Sequence, residues 1–342
     1  MPPHADKPRV AITVGDFNGI GPEVTLKSIR HPSVRAVCVP MLVGPMEVFA
    51  GYARRLKMPV HFAGWAEETR LASSTITVIE TGNDQPIEIS PGMLSPEAGH
   101  VAAAAIQKAV HVVQSGTAHA LVTAPVSKQA LHLAKVDVPG QTELLQQLTG
   151  SPAVAMMLVS STMRVCLATI HVPIRKVSEM LSRQTLRERI VTAYEALRHD
   201  WKIRSPRLAV LGLNPHAGEG GDIGTEERDV ILPVVQELRK ARMRIEGPCP
   251  ADAFFGRYSP GMYDAVVAMY HDQGLIPLKM SSFGKGVNVT AGLTIVRTSP
   301  DHGTAFDIAG KGVADAGSMI EAIKLAAALA VHRGVFRKRK VR

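Results

Sequence analysis

At 342 residues the chain is about two domains long, because single hydrophobic cores stop growing near ~300 residues. Its 46% hydrophobic and 20% charged content, with 29 Gly and 23 Pro scattered rather than repeated, excludes a disordered or collagenous protein. The formal net charge of +9 hints at nucleic acid, but six of the last ten residues are basic (Arg333, Arg337, Lys338, Arg339, Lys340, Arg342), and without them the excess is +3. With no aromatic platform and no helix-turn-helix pattern, the tail reads as a solvated, dispensable end, and no nucleic-acid partner is expected.

No apolar run reaches the roughly 18 residues of a bilayer span. Lys108 and Lys324 break the two best candidates, and the opening Met1-Pro2-Pro3-His4 has no apolar signal region, so no membrane partner and a cytoplasmic location are expected. Cys38, Cys166 and Cys249 are odd in number and far apart, which fits plain thiols better than disulfides or a thiolate metal site.

In chain order, β-branched runs predict buried strands at Arg9–Val14, Val37–Val43, Ser74–Ile79, Ala118–Thr123, Arg164–Ile170, Arg207–Leu213 and Asp264–Tyr270. Helical periodicity appears at Pro96–Gln114, Thr185–Arg198, Glu226–Met243 and Ser318–His332, with Pro233 a point of kinking in the third. Such alternation indicates an α/β fold with a mostly parallel sheet under two layers of helix. No linker stands out, so two domains are expected to interweave.

Ligands of open α/β sheets collect beyond the carboxyl ends of strands. Three histidines stand there: His171 after Arg164–Ile170, His216 after Arg207–Leu213, and His271 directly after Asp264–Tyr270, at separations of 45 and 55 residues. If these strands are near neighbours, three neutral imidazoles converge on one rim, a donor set suited to a catalytic Zn²⁺ or similar ion, with Asp252 and Asp272 as supporting carboxylates. A single strand-end histidine is more often an ordinary loop residue; the shared placement of three is what carries the reading. Downstream, Lys279, Asn288 and Arg297 flank a Gly-rich stretch and offer handles for a phosphate or carboxylate. The loop Gly15-Asp16-Phe17-Asn18-Gly19-Ile20-Gly21 lacks the G-x-G-x-x-G dinucleotide spacing, and neither a P-loop nor a G-x-S-x-G elbow occurs.

Several long segments carry a family resemblance: Val14-Gly15-Asp16 with Gly19-Ile20-Gly21-Pro22-Glu23, Ala124-Pro125-Val126-Ser127-Lys128, Gly140-Gln141-Thr142-Glu143, Leu213–Gly221, Ala268–Gly274 and Asn288–Gly310. In this order they resemble the 4-hydroxythreonine-4-phosphate dehydrogenase (PdxA) family from about residue 8 to 330. The resemblance implies a fold like isocitrate and isopropylmalate dehydrogenases, with two α/β lobes around a central cleft. The lobes are expected at 1–130 plus 286–342, with the cofactor loop, and at 131–285, with the metal histidines and the contacts of a homodimer whose subunits share active sites. It implies a divalent ion (Zn, Mg, Mn or Co) on His171, His216 and His271, and contacts to a small anionic substrate from Gln141, Thr142, Lys279, Asn288 and Arg297. The segment holding His302, Gly303, Thr304, Ala305 and Asp307 looks like the NAD or NADP loop of that fold.

The implied reaction is oxidation of a 4-phosphorylated hydroxy acid such as 4-phosphohydroxy-L-threonine, with decarboxylation of the β-keto acid; the catalytic candidates are Lys279, a possible proton donor, with Asp252 and Asp272. The chain departs from the family at Gln141, where histidine is usual; an amide still donates hydrogen bonds but cannot become a cation. Related substrates (4-phosphothreonate, 4-phosphoerythronate, a cyclic dihydrodiol carboxylate) remain open. So do an acyl- or phosphotransferase of similar fold, which needs no histidine triad, and a binding protein that has lost the chemistry.

Overall fold

The structure, a computed structural model, describes residues 7–66, 75–82, 86–136, 138 and 140–336. The six C-terminal residues, which include most of the basic tail, and Ser74 of an expected strand lie outside the described residues. The strands in chain order are β1 (Arg9–Thr13), β2 (Val39–Val43), β3 (His61–Gly64), β4 (Thr75–Ile79), β5 (Ala120–Val122), β6 (Ala155–Val159), β7 (Arg164–Leu167), β8 (Arg207–Leu211), β9 (Arg244–Cys249), β10 (Ala265–Ala268), β11 (Val287–Ala291) and β12 (Arg297–Pro300). The chain divides into two compact units, Met1–Gly150 with Leu293–Arg342, and Ser151–Gly292.

In the first unit the strand order is β3-β4-β2-β1-β5-β12, all parallel. The inner strands β1, β2 and β5 are near-continuous apolar runs, as both faces are covered: Val10, Ala11, Ile12, Leu42, Val43, Leu121 and Val122 are fully buried. The helices Pro96–Gln114 and Gly317–Arg333 pack on β1 and β5. Ser95 caps the former by accepting from the Ala98 N–H at 3.1 Å, with Pro96 in its first turn, a local signal that makes this boundary legible in sequence. The helix Gln141–Thr149 packs against Pro96–Gln114, so residues 131–150 group with this unit, where the sequence suggests the other lobe.

In the second unit the order is β11-β6-β7-β10-β8-β9. The run β7-β10-β8-β9 is parallel, while β6 is antiparallel to both β7 and β11. The core gathers Val165, Leu167, Ala209, Leu211, Val266 and Ala268 from the strands with Leu275 and Leu278 from the helix His271–Ser282. That helix lies close on the sheet because residue 274 has no side chain: a Cβ at Gly274 would stand 2.5 Å from Val165 Cγ1 and 3.0 Å from the Ala268 Cβ.

Two expectations need correction. The run Glu226–Met243 is not one helix: a π turn, Glu227–Ile231, precedes the α-helix Leu232–Lys240, so Pro233 falls in the first turn, where its missing N–H costs nothing. Asp264–Tyr270 is a strand only to Ala268, and His271 opens a helix.

Candidate functional site

The pairing β7-β10-β8 places the histidine-bearing strand ends side by side, with that of His271 in the middle. What holds these ends together is a set of hydrogen bonds from the residues just beyond them. Thr169 donates from Oγ1 to the Met269 carbonyl at 2.7 Å. Buried Gln273 accepts from the Met269 N–H at 2.7 Å and donates through Nε2 to the Gly212 carbonyl at 2.6 Å. The amide side chain thus bridges β10 to β8, satisfying two backbone groups that the sheet ladder no longer reaches.

His171 and His271 come together, their ring centroids 5.6 Å apart, in a pocket of about 370 Å³ lined also by Ile170, Ile174, Tyr270 and Asp272. His271 Nδ1 lies 2.7 Å from Asp272 Oδ1; with a proton on Nδ1, the lone pair of Nε2 is left for a ligand. His216 is exposed on the neighbouring strand end, with Nδ1 2.8 Å from Glu219 Oε2, and this carboxylate is the main cause of its raised pKa, with Asp252 contributing more weakly. Among the described residues no three His, Cys, Asp or Glu side chains stand close enough to hold an ion together. The donor set nonetheless suits a divalent cation: two imidazoles face each other, and the third stands on the adjacent strand end, turned toward Glu219.

The turn carrying His216, Pro215–Gly221, is left-handed over five successive residues: φ is 52° at His216, 54° at Ala217, 80° at Gly218, 44° at Glu219 and 72° at Gly220. Three of these carry a Cβ, and for such residues the left-handed region costs roughly 1–2 kcal/mol each. The surrounding structure must therefore hold it.

In the first unit, buried Arg297 on β12 donates from Nε and Nη2 to Thr123 Oγ1 at 3.1 and 2.6 Å, and from Nη2 to Gln141 Oε1 at 3.1 Å. Burial pushes its pKa down to about 10. Gln141 Nε2 faces the Ala124 carbonyl at 3.4 Å, so this amide is engaged with its own chain, its oxygen serving a desolvated cation. Thr142 follows in the first turn of the helix Gln141–Thr149.

The segment from Asp301 is an irregular loop. Ala305 adopts φ 42°, the Thr304 carbonyl accepts from the Ile20 N–H at 2.9 Å, and buried Nε2 of His302 has no partner among the described residues. Gly303 and Asp307 are exposed. In the second unit, exposed Lys279 lies in the last turn of His271–Ser282, and Asn288 on β11 has a buried Oδ1 with no hydrogen-bond partner among the described residues. Exposed Asp252 begins the helix Ala251–Arg257.

Thr123, Gln273 and Glu227 escape the sequence reading. Thr123 lies just past β5, and that position is the one signal that could have pointed to it. Gln273 and Glu227 act through long-range hydrogen bonds that no local pattern announces.

The family described as pyridoxal phosphate biosynthetic protein PdxA matches residues 36–326. The D-threonate 4-phosphate dehydrogenase of Cupriavidus necator is 44% identical over 95% of this chain and 98% of its own. The 4-hydroxythreonine-4-phosphate dehydrogenase of Aromatoleum aromaticum is 42% identical over 97% of this chain and 100% of its own. A crystal structure of 4-hydroxythreonine-4-phosphate dehydrogenase from Klebsiella pneumoniae superposes with a TM-score of 0.86 at 39% identity, covering 96% of this chain and 99% of that one.

Proposed function

Because the chain belongs to the PdxA family of oxidoreductases, we propose that it oxidises a small 4-phosphorylated hydroxy acid with NAD or NADP and a divalent ion. The observation that carries this reading is the placement of His171, His271 and His216 on three adjacent parallel strand ends. When bound, the nicotinamide accepts the hydride of a secondary alcohol while the ion polarises the alcohol oxygen. The remaining work falls to the chain. His171 and His271, joined by His216 once it turns from Glu219, hold the ion, and Asp272 keeps the His271 imidazole oriented. Arg297, with Gln141 and Thr142 beside it, and Lys279 and Asn288 bind the substrate's anionic groups; the loop through His302–Asp307 takes the cofactor. Lys279 is the proton donor after loss of CO₂ from the β-keto acid.

Two substrates head the list. The first is 4-phosphohydroxy-L-threonine. The second, D-threonate 4-phosphate, is favoured by the identity to the Cupriavidus necator enzyme. The working unit is proposed to be a homodimer in the cytoplasm, and the exposed Ile276, Met280 and Phe283 supply an apolar surface for the second copy. No helix among the described residues is long and apolar enough to cross a membrane.

The test is formation of NADH or NADPH on adding each phosphorylated acid, and an unphosphorylated cyclic diol acid, with and without a chelator. Turnover of a phosphorylated acid that the chelator abolishes is expected. His171→Ala, His216→Ala and His271→Ala should each lose bound metal and activity while the fold persists, as loop residues at strand ends seldom hold a core together. Undiminished metal content in all three variants refutes the assignment.

A further inference from the structure

The left-handed turn at Pro215–Gly221 is held from below by one carboxylate. Glu227 is 4% exposed and opens the π turn that follows the glycine-rich loop. Its Oε1 accepts from the backbone N–H groups of Leu213 at 2.6 Å and Asn214 at 2.7 Å, and its Oε2 accepts from Asn214 Nδ2 at 2.9 Å. Asn214 Nδ2 also donates to Glu226 Oε2 at 2.7 Å, and the Asn214 carbonyl accepts from the Ala217 N–H at 3.1 Å inside the turn. Glu227 Oε2 lies so close beneath Gly218 that a Cβ there would stand 2.6 Å away. A carboxylate with up to four acceptor sites suits this floor, since every group it meets is a donor.

The chain between β8 and the π turn is therefore anchored at its start by the hydrogen bonds at Leu213 and Asn214, and the carboxylate lies close under its middle at Gly218. Between these points lies His216, in a backbone region that residues with side chains seldom occupy. Bonds internal to the loop remain without that anchor, from Ala217 N–H to the Asn214 carbonyl and from Ile223 N–H to the Gly218 carbonyl, but His216 at φ 52° is then freer to relax to an ordinary right-handed or extended conformation. The imidazole would then leave the strand end that it shares with its two neighbours.

We propose that Glu227 is a positioning residue for the divalent-ion site: by holding the left-handed turn, it keeps His216 within reach of an ion on His171 and His271. This rests on the metal reading above. The carboxylate touches neither ion nor substrate in this role. It acts through the backbone; loss of groups that orient metal ligands by hydrogen bonding to them weakens metal binding roughly 10- to 100-fold, and that is the scale expected here.

The experiment is titration of the full-length, metal-stripped protein with Co²⁺, followed by visible absorption, with no substrate or cofactor present. Glu227→Ala should weaken Co²⁺ binding at least about tenfold. Glu227→Gln keeps an acceptor for the Leu213 and Asn214 N–H groups and gives up only the bond from Asn214 Nδ2, which still donates to Glu226, so it should weaken Co²⁺ binding less than Glu227→Ala does. Glu227→Asp, a methylene too short to reach both sets of donors, should resemble alanine and serves if the alanine chain fails to fold. Glu23→Gln, a change of a buried carboxylate in the other unit, should leave Co²⁺ affinity unaltered. Parent-like affinity in both Glu227→Ala and Glu227→Asp, while His216→Ala loses the ion, overturns the inference and spares the metal reading. A parent that binds no Co²⁺, or binds it equally well as His216→Ala, overturns the metal reading and the inference with it.

Discussion

Gln141→Glu probes the anion-binding corner by turning a neutral partner of Arg297 into a charged one. Arg297 is 3% exposed, and Thr123 and Gln141, two of the groups its guanidinium meets, are uncharged. Desolvation lowers its pKa to about 10, a displacement equivalent to about 3 kcal/mol against the charged form. A carboxylate oxygen at the present 3.1 Å separation would attract the cation by about 5 kcal/mol at an effective dielectric of ~20, less the cost of partly desolvating the carboxylate itself. The variant should therefore be more stable than the parent by up to about 3 kcal/mol, measured by urea unfolding.

Activity should move the other way. With the guanidinium neutralised from within, an anionic substrate loses a charge-assisted hydrogen bond of about 1.5–3 kcal/mol, roughly 10- to 150-fold in kcat/KM. The assay is steady-state kinetics on a phosphorylated hydroxy acid, beside an isosteric Gln141→Met control that removes the acceptor without adding charge. A Gln141→Glu enzyme with kcat/KM within about threefold of the parent would refute the idea that Arg297 is the anion's partner. A loss of both stability and activity would show instead that the cavity rejects a second charge.

Gly274→Ala should destabilise the protein by about 1–3 kcal/mol in urea, because a Cβ 2.5 Å from Val165 Cγ1 forces the helix His271–Ser282 off the sheet. Metal affinity should fall with it, since that helix begins at His271. Burial lifts the pKa of Asp16 to about 6, while its Oδ1 accepts from the Asn18 N–H at 3.0 Å. The native state then holds the proton more tightly than the unfolded chain, so this contribution to stability is full below pH ~4 and is lost as the pH rises to about 6. Asp16→Asn should flatten that decline in unfolding curves taken at a series of pH values; an unchanged slope would assign the decline to other groups. Deleting the last six residues should leave turnover within about twofold, because five of them are basic and chain termini rarely contribute to packing. A large loss would give the basic tail a function.

The alternation of apolar strands with amphipathic helices marks an α/β protein, and the helix Pro96–Gln114 can be bounded to the residue from its Ser95 cap and its periodicity. These are local signals, carried by neighbours three or four positions apart in a helix and two apart in a strand, and they survive translation into structure because each element shows its apolar face in its own segment. The same locality marks the positions just beyond strand ends, and hence the three histidines, as residues to weigh. It does not say that β10 lies between β7 and β8, or that β6 and β11 run against their neighbours, because strand order depends on pairings between segments distant in the chain. Nor does it reveal that Gln141 spends its oxygen on Arg297 across 156 residues, that Gln273 bridges two strand ends, or that Glu227 supports a left-handed turn. Each of these hydrogen bonds joins a buried polar group to a partner outside its own local segment. Burial makes such partners obligatory without encoding their identity in the flanking residues, so tertiary structure alone decides them.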